Sequence, residues 1–332
     1  MHLGLVFTNK CNAKCNHCGT NCGPERNDRL SLPVIKQLMY EAASLGDDSL
    51  SCFSITGGEP FLYWNDLLEM VRTGAQLGAK MTCVTNGSWA VSYEKALEKM
   101  SALQDAGLKL LAISTSEYHQ QFIPLERVRN AARAAICIGL EVVIKYPYAR
   151  HGVQPDELAE LLGPEVMSEA SMEIFSVMPS MRSGYHVPKE EMVAKPGIPV
   201  GRCPAAVVTI REDGQAYTCC IPGGFIEPLK LGHIGVDSLS CIHERFQGGD
   251  LQQLLFVEGP ALIARKASES GLGYLLQDSY TSICHLCTDI LAKPQLYELA
   301  MQIAEEYQLE RLCRIATTEE SITEQEHCDK TA

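Results

Sequence analysis

From Leu3 to Met178 the chain alternates short apolar runs with longer mixed runs that close on glycine. The strand-like segments are 3–8, 51–55, Lys80–Thr85, Lys109–Ser114, Glu141–Tyr146 and Met172–Met178. Between them, helices are predicted from Ser31 (Pro33 in its first turn) and over 65–77, Tyr93–Asp105, Leu125–Ile138 and Pro155–Leu162. Gly46, Gly78, Gly107 and Gly139 stand as stops. A strand–helix–strand unit returns its second strand parallel to the first, so six units in a row imply an α/β fold. The parallel sheet is covered by helices and curls into a full or partial barrel. Chemistry in such a sheet collects at the C-terminal ends of the strands.

The pattern breaks at about Pro179. Residues 179–203 are rich in Pro, Gly and Ser, and a hairpin is predicted next, Val207–Arg211 and Gln215–Thr218, turning through Glu212-Asp213-Gly214. A smaller region then runs to residue 313, with a helix from Gln295. The expected organisation is a barrel over 1–180, a second region over 181–313 and an acidic, mobile tail over 314–332.

The formal net charge of −13 repels phosphate backbones and anionic lipid, so neither nucleic acid nor a membrane is an expected partner. No run approaches the roughly 18 apolar residues of a membrane span. Met1–Phe7 reads as a strand rather than a leader, which makes the cytoplasm the expected compartment. Fifteen cysteines, an odd number, then point to reduced thiols and metal ligands rather than a disulfide framework. Four fall in 11–22, three in 203–220 and a pair at Cys284 and Cys287, and these clusters need a chemical explanation.

Cys11-Asn-Ala-Lys-Cys15-Asn-His-Cys18 follows the first strand with C-x3-C-x2-C spacing. Three thiolates can hold three corners of a four-iron cluster and leave one iron open for substrate chemistry. A zinc knuckle completed by Cys22 or His17 is the competing reading. Thr56-Gly57-Gly58-Glu59-Pro60 ends the second strand some forty residues later. Its glycines admit a ligand against backbone, and Glu59 offers a carboxylate to an ammonium group. Asn86 follows the third strand, Ser114, Ser116 and His119 the fourth, and Lys145 lies at the end of the fifth. Hydroxyls suit a ribose and a cation suits a carboxylate.

The cysteine motif with Gly57-Gly58-Glu59-Pro60 resembles the radical S-adenosylmethionine (SAM) superfamily over residues 1 to about 180. The resemblance implies a partial (βα)6 barrel in which Cys11, Cys15 and Cys18 hold a [4Fe–4S] cluster whose open iron is chelated by SAM. It also implies that Gly57, Gly58 and Glu59 hold the SAM amine, with Asn86, Ser114, Ser116 and Lys145 as further SAM contacts. His17 stands where the family often has Phe or Tyr.

Cys203, Gly214 and Cys219 are spaced C-x10-G-x4-C, and Cys284-His-Leu-Cys287 follows. This resembles the twitch, or shortened SPASM, extension of peptide-modifying radical SAM enzymes. It implies an auxiliary [4Fe–4S] cluster on Cys203, Cys219, Cys284 and Cys287. A four-cysteine zinc site is the alternative. Cys220, next to Cys219 on a strand, should face the other way.

Together with Asn86-Gly87-Ser88-Trp89 and Ser116-Glu117-Tyr118-His119, these features are similar to YydG-type peptide epimerases. That implies Cα hydrogen abstraction from a ribosomally made peptide, hydrogen return from the Cys220 thiol, and a flavodoxin or ferredoxin as reductant. In that family an acidic residue follows the Cys-Pro pair, whereas Cys203-Pro204 is followed by Ala205-Ala206-Val207-Val208. Two other readings stand beside epimerisation. One is a radical SAM enzyme that forms thioether or carbon–carbon crosslinks or acts on a small molecule. The other is a non-catalytic zinc or iron–sulfur scaffold.

Overall fold

The computed structural model describes residues 1–46, 50–204 and 207–329, with residues 312–329 described by their backbone alone. The alternation becomes β1 (His2–Val6), β2 (Cys52–Thr56), β3 (Lys80–Thr85), β4 (Leu108–Ser114), β5 (Glu141–Tyr148) and β6 (Ser171–Ser176). These six strands lie side by side in chain order, every pair parallel. The connections carry α1 (Leu32–Ala43), α2 (Trp64–Gln76), α3 (Tyr93–Ala106), α4 (Glu117–Gln120), α5 (Leu125–Cys137), α6 (Pro155–Leu162) and α7 (Pro164–Met167). The result is an α/β partial barrel of six strand–helix units.

Local chemistry sets the element ends. The Ser92 hydroxyl accepts from Lys95 N to start α3, and Gly107 ends it at φ +108°. α1 begins after Ser31 with proline in its first turn, but stops at Ala43, short of the expected Gly46. Leu3, Leu5, Phe53, Ile55, Met81 and Ile113 from the strands pack on Ile35, Met39, Leu67 and Met70 from the helices. That apolar burial is what holds the barrel closed around its core.

The region after the barrel holds a pairing that the sequence did not indicate. Following α8 (Met181–His186) and β7 (Lys195–Pro196), the hairpin forms as β8 (Val208–Ile210) and β9 (Gln215–Tyr217). It does not start a separate sheet. β8 pairs in parallel with β1, Leu3 opposite Val208 and Leu5 opposite Ile210, and β10 (Lys230–His233) adds antiparallel to β9. The sheet therefore has nine strands in the order β10-β9-β8-β1-β2-β3-β4-β5-β6. The physical reason lies in β1. As the first strand of a partial barrel it would expose an edge of backbone donors and acceptors, and the fully buried Val-Thr-Ile of β8 satisfies them.

A second core is built by α9 (Leu239–Gly248), α10 (Asp250–Val257), α11 (Pro260–Glu269), β11 (Ser279–Tyr280), α12 (Ile283–Leu291) and α13 (Pro294–Asp329). Leu254, Leu255, Ile263, Leu286, Ile290 and Leu296 are at its centre. The backbone of α13 runs as helix through 314–329 of the segment expected to be an acidic tail. That stretch carries Glu319, Glu320, Glu324 and Glu326, and glutamate extends a helix readily. Ala205 and Ala206 lie outside the described residues. Among the described residues no helix is long and apolar enough to cross a membrane.

Candidate active site

The loop between β1 and α1 is fastened before it reaches its first cysteine. Gly58 N donates to the Thr8 carbonyl at 2.6 Å and Glu59 N to that of Lys10 at 2.9 Å, so the end of β2 continues as a partner of the loop. Cys11 N and Gly23 O close the loop's base at 3.1 Å. The two glycines follow from this approach. Gly57 sits at φ +142°, and a Cβ on Gly58 would overlap the Lys10 carbonyl.

Above this base lies a cleft of about 640 Å³, counted with its solvent-open part. Cys11, Cys15 and Cys18 stand on one side, and Gly57, Gly58, Asn86 and Ser114 come from the ends of β2, β3 and β4. His17, Cys22 and His119 also line it. Ala13, Tyr118, Ile123, Ala149 and Val177 pack behind the cysteines and exclude water.

The three thiols differ in character. Burial pushes Cys11 and Cys15 up to about 12. Cys18 falls to about 5, mainly because the Cys22 thiol donates to it, with help from Thr20. Cys22 is correspondingly held well above the ordinary thiol range. Its side chain is also within 3.0 Å of Thr20 Oγ1 and 3.5 Å of Asn9 Oδ1.

The other expected SAM contacts separate into two groups. Asn86 is in the cleft, its Nδ2 3.6 Å from Cys11 Sγ and 3.0 Å from Asn12 Oδ1, and Ser114 lines the wall. Glu59, Ser116 and Lys145 are outside the walls. Glu59 is 0 % exposed and accepts from Phe61 N, Thr85 Oγ1 and Asn86 N at 3.1, 2.8 and 2.8 Å. Burial lifts its carboxyl to about 7. Ser116 caps α4 and meets His119 Nδ1 at 2.8 Å. Lys145 pairs with Glu173 at 2.6 Å.

Two features carried no sequence signal. His17 stacks on Tyr118 at 5.1 Å and meets His119 edge-on at 4.5 Å, a contact across about a hundred positions. Burial lowers His119 to about 4, so it stands neutral on the cleft wall. Arg182, from the segment rich in Pro, Gly and Ser, is 7 % exposed and reaches the cysteine loop.

The second cysteine set also converges. Cys203, Cys219, Cys284 and Cys287 line one apolar cavity of about 460 Å³ with Ile221, Leu229, Leu255 and Phe256. Burial raises Cys284 to about 12 and pushes Cys219 and Cys287 above the usual thiol range. Cys220 is exposed and is not part of that wall. Its thiol is raised by burial of its surroundings and by Cys203, and it also feels Lys145 and Glu173, which pair within β5 and β6; β5 runs on to Tyr148, so Lys145 does not end it as expected. Among the described residues no three His, Cys, Asp or Glu side chains close on a single ion. The two sets of thiols line the two cavities instead.

Residues 5–162 match the model of the radical SAM superfamily. A Bacillus subtilis (strain 168) protein named for peptide biosynthesis, YydG, is 24% identical over 297 residues, covering 86% of this chain and 90% of that protein. The chain belongs to the radical SAM superfamily. The chain also matches the antilisterial bacteriocin subtilosin biosynthesis protein AlbA of Bacillus subtilis (strain 168), 29% identical over 142 residues, 41% of this chain and 29% of that protein. The solved structure of anSMEcpe with bound AdoMet covers 96% of this chain and 99% of its own at TM-score 0.54 and 15% identity, a likeness of fold. The radical SAM family implies a [4Fe–4S] cluster and SAM. The residues present fit both: three cysteines line the cleft, and beside Cys11 runs a glycine backbone without side chains.

Proposed function

We propose that this radical SAM protein epimerises a residue of a ribosomally made peptide, with Cys220 as the hydrogen donor. The observation that carries the reading is the divergence of Cys219 and Cys220. Cys219 lines the apolar cavity with three other cysteines, while Cys220 is exposed and lies outside that lining, within the field of Lys145 in β5 and Glu173 in β6. The similarity to YydG along 86% of the chain supports a peptide substrate.

In this reading Cys11, Cys15 and Cys18 hold the radical-generating cluster and Cys203, Cys219, Cys284 and Cys287 an auxiliary one. Bound in the cleft, cluster and SAM supply a carbon-centred radical that removes a hydrogen atom from a peptide Cα. Gly57, Gly58, Asn86 and Ser114 form the wall against which SAM lies; Glu59 and Ser116 hold that wall from behind. Cys220 then gives its hydrogen atom to the Cα from the opposite face. The S–H bond breaks, a Cα–H bond forms, and the thiyl left on Cys220 is restored by one electron and one proton. A cluster held by Cys203, Cys219, Cys284 and Cys287 would supply that electron, with a flavodoxin or ferredoxin as the external reductant.

The test is turnover of a candidate peptide in heavy water. One deuterium at a D-configured residue, lost in Cys220→Ser while 5′-deoxyadenosine still forms, supports the reading. A product lighter by two hydrogens, insensitive to Cys220→Ser, replaces it with crosslink formation.

A further inference from the structure

Arg182 lies in α8, just after the last barrel strand, and turns back toward the metal loop. Its Nη2 donates to the Cys22 carbonyl at 2.7 Å, its Nη1 to the Cys15 carbonyl at 3.2 Å and its Nε to Asn21 Oδ1 at 3.1 Å. The preceding Met181 sits at φ +45°, and Asn21 at φ +55°, so both backbones are bent to make this meeting possible. Ser183 secures the turn by donating to the Met178 carbonyl at 2.7 Å.

All three acceptors are neutral, and among the described residues Arg182 makes no ion pair. The acid that feels its charge, Glu25, is on the surface and bonded to Lys14 at 2.7 Å. A guanidinium 7 % exposed with no anionic partner is a costly thing to bury. The negative charge it faces has to come from what the loop holds.

We infer that Arg182 is a positioning residue for the radical-generating cluster: it clamps the cysteine loop by its carbonyls and raises the cluster's reduction potential through its buried charge. Reduction adds one negative charge to the cluster, and a nearby cation in a site closed to water stabilises that added charge. Arginine suits both tasks, because its planar fork reaches several carbonyls and keeps its charge. The inference rests on the cluster that the family implies and not on the peptide reaction.

The experiment uses the full chain, reconstituted without oxygen. The radical-generating cluster is observed alone in a background carrying Cys203→Ser and Cys284→Ser. Iron per chain and an EPR-monitored redox titration are compared for native Arg182, Arg182→Lys and Arg182→Gln. The Gln variant keeps a donor for the carbonyls but loses the charge. It should load iron while its reduced-to-oxidised ratio at fixed ambient potential falls about tenfold, about 59 mV for one electron. The Lys variant should stay near the native potential and lose iron more readily on dilution. Equal potentials in all three loaded proteins overturn the electrostatic role. Should Gln fail to load while Lys loads, charge is required for assembly and the inference stands; failure of both variants leaves a structural residue and overturns it. Native protein that holds no cluster at all would instead sink the family reading on which the inference rests.

Discussion

The backbone amide of Asn86 donates to the buried carboxylate of Glu59 at 2.8 Å. Asn86 in turn reaches Cys11 with its side chain. One carboxylate therefore ties the ends of β2 and β3 to the first cysteine of the metal loop. The residue that a sequence motif offers to a ligand's amine is here a strut behind the site.

Glu59 gives stability a pH slope. Its folded value of about 7 stands above the ordinary 4.5, so between those limits the folded state holds more protons than the unfolded one. Stability falls as pH rises through that window, and the full penalty, up to about 3 kcal/mol, is present above 7. Urea midpoints at pH 5, 6, 7 and 8 should fall more steeply for the native protein than for Glu59→Gln. Parallel slopes would show that Glu59 is ionised throughout.

Gly58→Ala should damage the metal loop more than the barrel. The added Cβ meets the Lys10 carbonyl, which is backbone and cannot rotate away. A cost of about 1–3 kcal/mol is expected. Much of it should appear as loss of the Gly58–Thr8 bond and of iron retention. Circular dichroism should stay near native while iron per chain drops; full iron loading would contradict the packing argument.

Cys284→Ser should halve the iron of the reconstituted protein, from about eight to about four per chain, and leave SAM cleavage to 5′-deoxyadenosine in place. The two cysteine sets line different cavities, so damage to one need not reach the other. Zinc found in stoichiometric amount with iron unchanged would reassign Cys203, Cys219, Cys284 and Cys287 to a structural ion.

Cluster assembly should release protons. Cys11, Cys15 and Cys284 lie near 12 when no metal is bound, and each must give up its proton to ligate. Reconstitution yield at limiting iron should rise from pH 7 to pH 9, a range in which each thiol gains about tenfold in thiolate fraction per unit. A flat profile would mean that the thiols ionise more easily than their burial implies.

The sequence made the barrel legible because its signal is local. The strands and helices declare themselves by periodicity and most of the helices by a terminal glycine, and the Gly107 stop is visible without coordinates; the Ser92 cap was not read from the sequence. The cysteine spacings were legible for the same reason. Other features depend on distant partners. Val208–Ile210 is too short to reveal that it extends the sheet beside β1. Arg182 sits in a Pro- and Gly-rich segment where a lone arginine looks like surface. The motif identified Glu59 and Ser116, but spacing carries no side-chain direction, and both lie behind the wall that they were expected to form.

The pairing of β8 with β1 has a consequence for how the molecule is made. Leu3 and Val208, opposite each other in the sheet, are 205 positions apart in the chain. A ribosome that has released all six barrel strands has still not made the neighbour of the first. Until residue 210 emerges, β1 is an exposed template for foreign strands.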